Sequence, residues 1–326
     1  MKYLAFAAGV LTATATFADT PELTVYTYDS FVTEWGPGPA VEAAFEEVCG
    51  CDLKFVAVGD GAALLARLKL EGKRAKADVV LGLDTNLIAQ AAATGLFAPH
   101  DVEVQYDLPL QWVDKNFVPF DWGLFAFVHN ADLDSPPVNF RELADSDIKI
   151  IIQDPRSSTP GLGLLLWVKA AYGDEASEIW EGLADNIVTV TKGWSEAYGL
   201  FLEGEADMVL SYTTSPAYHL IAENDASKVA AVFEEGQYAQ IEVAGKLASS
   251  RHPELADKFL NFMVSEAFQS IIPTTNWMYP VVRPAAGLPE GFGDQVRVSK
   301  VILYNADEVG AVRDEALNEW LTALSR

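Results

Sequence analysis

Residues 150–167 constrain this chain more than any other stretch. Ile150, Ile151 and Ile152 form a β-branched apolar run of the kind a buried strand uses. The polar run from Asp154 through Pro155, Arg156, Ser157, Ser158 and Thr159 cannot continue that strand. Pro160 and Gly161 follow, and then an apolar run long enough for a helix. The pattern is strand, polar loop, helix N-terminus. Free backbone N–H groups and the positive end of the helix dipole then point back at the loop, beside three hydroxyls. Such a place fits an anion or polar ligand, and it fits a plain helix cap equally well.

The same unit recurs upstream. Residues 23–28 read as a strand, followed by Asp29, Ser30 and the loop Trp35-Gly-Pro-Gly-Pro39, with a helix running to 48. Strand 53–58 leads through Gly59, Asp60 and Gly61 into helix 62–70. Strand 78–83 leads through Asp84 into a helix that ends near 93. Strands alternating with helices predict a mostly parallel sheet, with ligands beyond the carboxyl ends of the strands. Tyr28, Asp29, Gly59, Asp60 and Asp84 all fall at such ends. Residues 117–128, with Pro119 and Gly123, break the rhythm; they read as a strand passing between lobes or as a strand with a bulge. Further helices are predicted over 160–172, 177–184, 194–203, 217–222, 253–263 and 314–324, with strands over 188–190, 206–211, 229–233 and 238–243. Residues 272–280 read as loop. A chain of 326 residues is long for one domain, so two α/β lobes are expected.

Residues 1–18 read as a cleaved export signal: Lys2, an apolar run from Leu4 to Leu11, then Thr16-Phe17-Ala18, with Asp19 opening the mature chain. The periplasm is the expected compartment. There, Cys49 and Cys51 could bridge across Gly50, although a single intervening residue makes for a strained geometry. Two thiols and four scattered histidines do not make a metal site. The charge balance, 22 basic against 47 acidic residues, gives −25 and argues against nucleic acid as a partner. It favours a cationic ligand weakly.

Tyr28, Trp35, Trp194, Tyr212, Tyr218 and Trp277 lie beside Gly, Pro, Ser or Thr instead of inside apolar runs. Rings exposed in a cleft attract a cation and stack on a heteroaromatic ring, although any one of them also fits ordinary packing. No P-loop, dinucleotide fingerprint, nucleophile elbow or zinc-protease motif is present. A binding module fits this pattern better than an exported hydrolase.

Several long strings carry a resemblance. They are Leu23-Thr-Val-Tyr-Thr-Tyr-Asp-Ser30, Trp35-Gly-Pro-Gly-Pro39, Lys76-Ala-Asp-Val-Val-Leu-Gly-Leu-Asp84, Ser158-Thr-Pro-Gly-Leu-Gly-Leu-Leu-Leu-Trp167, Leu210-Ser-Tyr-Thr-Thr-Ser-Pro-Ala-Tyr218 and Ile272-Pro-Thr-Thr-Asn-Trp-Met-Tyr-Pro280. With them the chain resembles the periplasmic thiamine-binding proteins of bacterial thiamine ABC transporters over essentially its whole mature length. The resemblance implies a two-lobe type II periplasmic-binding fold, with residues 19–122 and 240–326 in the first lobe, 123–239 in the second, and the ligand cleft between them. It implies capture of thiamine or its mono- and diphosphate, delivery to an inner-membrane permease with its ATPase, no cofactor and no chemistry on the ligand. A monomer is expected. Carried over by motif, the ligand residues are Tyr28, Asp60, Gly61, Ser158, Thr159, Trp194, Tyr212, Thr213, Thr214, Ser215, Tyr218 and Trp277. The competing readings are a ferric-ion binder using clustered tyrosines such as Tyr212 and Tyr218, and a thiamine-phosphate hydrolase.

Overall fold

The computed structural model describes residues 20–293 and 297–325; the export signal read over 1–18 and the cleavage before Asp19 lie outside them. The first half of the chain contains β1 (Glu22–Thr27), α1 (Gly38–Cys49), β2 (Asp52–Ala57), α2 (Gly61–Glu71), β3 (Val79–Asp84), α3 (Ile88–Ala93), β4 (Phe117–Asn130) and α4 (Phe140–Ala144). The middle contains β5 (Ile150–Gln153), α5 (Thr159–Tyr172), α6 (Ala176–Leu183), β6 (Ile187–Thr191), α7 (Trp194–Leu202), β7 (Met208–Tyr212) and α8 (Ser215–Ala222). The chain then returns through β8 (Lys228–Ala230), β9 (Gln237–Lys246), α9 (Pro253–Met263), α10 (Glu266–Gln269), α11 (Ile272–Thr275) and, near its end, α12 (Ala306–Leu324).

The strands follow the order β2-β1-β3-β9-β4-β7-β5-β6. β1 runs parallel to β2 and β3, and β5 runs parallel to β6 and β7. The parallel expectation holds within each group and fails at their junction, where β9 and β4 pair antiparallel with each other and with β3 and β7. These two strands thus form an antiparallel seam that joins the two parallel groups into one sheet path. β4 carries the bulge that its sequence allowed. Residues 117–124 pair with β9 and residues 125–129 with β7, and the register shifts between Pro119 and Asp121. Pro119 has no N–H to give the ladder, which suits an irregular position.

Phe45, Phe120 and Phe259 centre one apolar core; Phe140, Trp167, Trp180 and Phe233 belong to another. α5 is buried from Thr159 to Lys169. It lies so close to the sheet that a Cβ on Gly163 would stand 1.9 Å from the Phe125 ring, which only glycine permits. The sequence gives the last helix an apolar stripe, Leu317, Trp320, Leu321 and Leu324, but not what it packs against. α12 lies against α5 and α6, burying Val309, Ala316, Trp320 and Ala323, and its Glu315 and Glu319 meet the buried Lys169 ammonium at 2.9 and 2.8 Å. It begins at Ala306, upstream of the predicted 314, behind a reciprocal cap between Asn305 and Glu308. Residues 272–280 are not simply loop. They form α11 and a short strand, Tyr279–Pro280, that pairs with β4; Pro273 suits the first turn of so short a helix. Cys49 and Cys51 are joined by a disulfide at the end of α1. Among the described residues no helix is long and apolar enough to cross a membrane.

Candidate functional site

The residues that follow the carboxyl ends of β1, β2, β5, β6 and β7 meet around one cavity of about 480 Å³. Of the residues implied by the resemblance, Tyr28, Asp60, Thr159, Trp194, Tyr212, Ser215, Tyr218 and Trp277 line it. Gly61, Ser158, Thr213 and Thr214 stand behind its surface. A Cβ on Gly61 would sit 2.3 Å from Thr159 Oγ1, so glycine lets the N-termini of α2 and α5 touch across the cleft. Ser158 is fully buried, and its hydroxyl donates to Asp60 Oδ2 at 2.7 Å. Thr213 and Thr214 are buried, and the Thr213 N–H donates to Leu124 O at 2.9 Å.

Asp60 stands at the start of α2 but makes no side-chain cap for its own helix. It accepts instead from the Ser158 hydroxyl and from backbone N–H groups of Thr159 and Trp194, the first residues of α5 and α7. Three helix N-termini therefore converge on one carboxylate. Burial outweighs these donors and pushes its pKa up to about 6.

Rings form the side walls. Trp35 faces Trp194 at 6.3 Å between centroids, Trp194 stacks on Tyr198 at 5.1 Å, and Tyr218 meets Trp277 edge-on at 5.4 Å. Trp194 Nε1 donates to Ser211 Oγ at 2.8 Å, which fixes its plane. Trp277 has φ 56°, the left-handed region that bulky residues avoid. Such strain costs on the order of 1–3 kcal/mol and persists only where the surroundings enforce it. Here the N–H groups of Asn276 and Trp277 both return to Ile272 O, at 3.0 and 3.1 Å.

Glu242 forms the floor, and two further acids are buried behind it. Asp84, Glu242 and Asp121 are register partners across β3, β9 and β4, and all three are buried. Burial pushes Asp84 and Asp121 up to about 7 and raises Glu242 well above the carboxylate range. Tyr28 donates its hydroxyl to Glu242 Oε2 at 2.9 Å, and Asn276 Nδ2 reaches both Tyr28 Oη at 2.9 Å and Asp121 Oδ2 at 2.5 Å. None of the residues lining the cavity is Lys, Arg or His.

Glu242, Asn276 and Tyr198 line the cavity and stand outside the sequence-derived site, as does Trp35. One signal for Glu242 was available: a carboxylate inside an apolar strand is rare unless something needs it. The tyrosines of the iron reading do not converge. The Tyr212 hydroxyl donates to Gln240 Oε1 and that of Tyr218 to Glu223 Oε1, each at 2.8 Å.

A ring-walled cleft between two α/β lobes, formed at the carboxyl ends of parallel strands, defines a solute-binding protein. The family of bacterial extracellular solute-binding proteins matches residues 33–270. The thiamine-binding periplasmic protein of Escherichia coli (strain K12) is 54% identical over 321 residues, covering 97% of this chain and 98% of that one. Its counterpart in Salmonella typhimurium is 55% identical over 321 residues, with 97% of each chain covered. Among solved structures, a periplasmic thiamin binding protein superposes with a TM-score of 0.92 at 53% identity, covering 98% of this chain and all of that one. Iron-bound HitA from Pseudomonas aeruginosa, at 21% identity and a TM-score of 0.72, shares the fold alone. The chain belongs to the bacterial extracellular solute-binding proteins and, within them, to the periplasmic thiamine-binding family.

Proposed function

We propose that this protein captures thiamine in the periplasm, in the cleft between its lobes, and delivers it to an inner-membrane ABC permease driven by an ATPase. One observation carries the reading: an aromatic wall and a buried carboxylate floor share a cavity whose lining has no basic side chain. Thiamine carries a permanent positive charge on its thiazolium, which suits ring faces, and a desolvated contact of that kind contributes about 2 kcal/mol. Its aminopyrimidine offers donors and acceptors to carboxyl and hydroxyl groups. The phosphate of an ester form suits Thr159 and the N-terminus of α5. The protein is a carrier and not an enzyme. The site set and the lobe division belong to this proposal, as does a monomeric state; the division sets 19–122 with the return segment from 240 against 123–239, and α12 packs on the second lobe through α5 and α6. Closure would swing the lobes about β4 and β9, and the permease would recognise the closed form.

Trp194 and Trp277 make intrinsic fluorescence the natural test. Thiamine, its monophosphate and its diphosphate are each titrated into ligand-free mature protein, with ferric ion as control. The expected result is saturable quenching by thiamine and none by ferric ion, with no phosphate released from the esters. Saturable quenching by ferric ion alone would overturn the reading, and phosphate release would convert it to a hydrolase.

A further inference from the structure

At and beneath the floor of the cavity three carboxyl groups stand side by side, with no cation among them in the described residues. In the β4–β9 ladder Asp121 is the register partner of Glu242, and in the β3–β9 ladder Asp84 partners Glu242 from the other side. Directly opposed residues on adjacent strands bring their side chains together, and like charges so placed repel. Glu242 lines the cavity; Asp121 and Asp84 are fully buried behind it.

The groups that face Glu242 come from every element packed on it. From its own strand Gln240 Nε2 donates to Oε1 at 2.8 Å. After β1, Tyr28 donates to Oε2, and after α11, Asn276 donates to the hydroxyl of that same Tyr28. Asp121 faces it as its register partner from β4, while Asp84 and Asp60 act through space. The Tyr212 ring, from β7, approaches from the cavity side. Every titratable group in this set is an acid. Lys246, further along β9, is committed to Asp257. Two buried carboxyl groups paired across one ladder with no cation beside them repel when both are ionised, so the pair retains a proton. Asp121 Oδ1 and Asp84 Oδ1 are each buried without a hydrogen-bond partner among the described residues.

We propose that Glu242, backed by Asp121, reads the positive charge of the ligand, and that a cationic ring entering the cavity drives the proton shared by this pair out to solvent. The inference rests on the thiamine reading and deepens it. The empty cavity keeps the pair partly neutral because nothing else compensates it. A thiazolium supplies the missing cation and favours the ionised pair, so affinity rises with pH while the empty pair is still protonated. The site thereby discriminates the charged vitamin from an uncharged heteroaromatic ring of similar shape, which leaves the acids uncompensated.

Calorimetric titration of the mature protein near neutral pH, in two buffers of different ionisation enthalpy, counts the protons released. The expected result is release of about one proton per thiamine. The uncharged aminopyrimidine half of thiamine should bind weakly and release none. Glu242→Gln should lose the proton signal and roughly ten- to a hundredfold in affinity, and Asp121→Asn should lose the proton signal with a smaller loss of affinity. Circular dichroism and thermal unfolding establish that both variants fold. The wild-type buffer comparison decides the matter if they do not. Thiamine heats that are identical in both buffers would overturn the inference while leaving thiamine capture intact. Equal proton release by the uncharged half would also overturn it, since the charge would then not be the cause. Absence of any heat with thiamine would remove the functional reading beneath it.

Discussion

Glu223 shows how residues outside the cavity control those inside it. It lines no part of the cavity, yet one carboxylate oxygen accepts from the Tyr218 hydroxyl at 2.8 Å and the other meets His219 Nδ1 at 2.7 Å. His219 in turn meets the hydroxyl of Tyr198, the ring on which Trp194 stacks. Glu223→Ala should therefore weaken thiamine binding by roughly three- to tenfold, the worth of about one hydrogen bond, without unfolding the protein. A fluorescence titration beside a thermal melt checks both halves of that expectation. Removing a ring outright costs more: Trp277→Ala should lose about 30-fold, the equivalent of about 2 kcal/mol, measured by calorimetry. Tyr218 and Trp277 were legible in the sequence because they sit among Ser, Pro and Thr instead of inside apolar runs. Glu223 was not, since nothing local says that one exposed acid will reach two rings. Asp60 was half legible. Its place before a helix reads as a cap, but its partners lie on α5 and α7, across the cleft.

At the scale of elements, the strand–loop–helix unit over 150–167 was the most legible part of the fold, because β-branched residues, breakers and a long apolar run follow one another without ambiguity. The sequence does not say how near α5 lies to the sheet. Gly163 carries that information: any side chain there meets the Phe125 ring. Gly163→Val should destabilise the fold by about 1–3 kcal/mol through overpacking, read as a lower denaturant midpoint at unchanged m-value. The segment 272–280 was illegible for a different reason. One turn of helix and two strand residues are too short to show a period, and they are held by β4 and not by their own sequence. The early start of α12 is hard to read because its first turns bury little besides Val309; the Asn305–Glu308 cap is its one local signal.

At the scale of the whole molecule, the buried acids set how stability responds to pH. Asp60, Asp84 and Asp121 have folded-state pKa values raised from 3.8 to about 6, 7 and 7. Between the unfolded and folded values the native state holds more protons than the unfolded chain, so stability falls as pH rises through this window and levels off above it. Ligand-free protein should thus melt several degrees higher near pH 5 than near pH 8, and Asp84→Asn should flatten the slope. A formal charge of −25 adds repulsion in the same direction. A cationic ligand should offset part of this loss, because it compensates the same carboxylates. The parallel groups were legible from the alternation of strands and helices. The antiparallel junction was not, because pairing between β4 and β9 joins residues more than a hundred positions apart. The central proposal is that this cleft holds thiamine against rings that include Trp194 and Trp277, and calorimetric titration of wild-type and Trp194→Ala protein with thiamine tests it most directly. The account predicts tight one-to-one binding by the wild type and a loss of about 30-fold in the variant. Undiminished affinity in a correctly folded Trp194→Ala protein, or no heat from the wild type, would contradict it.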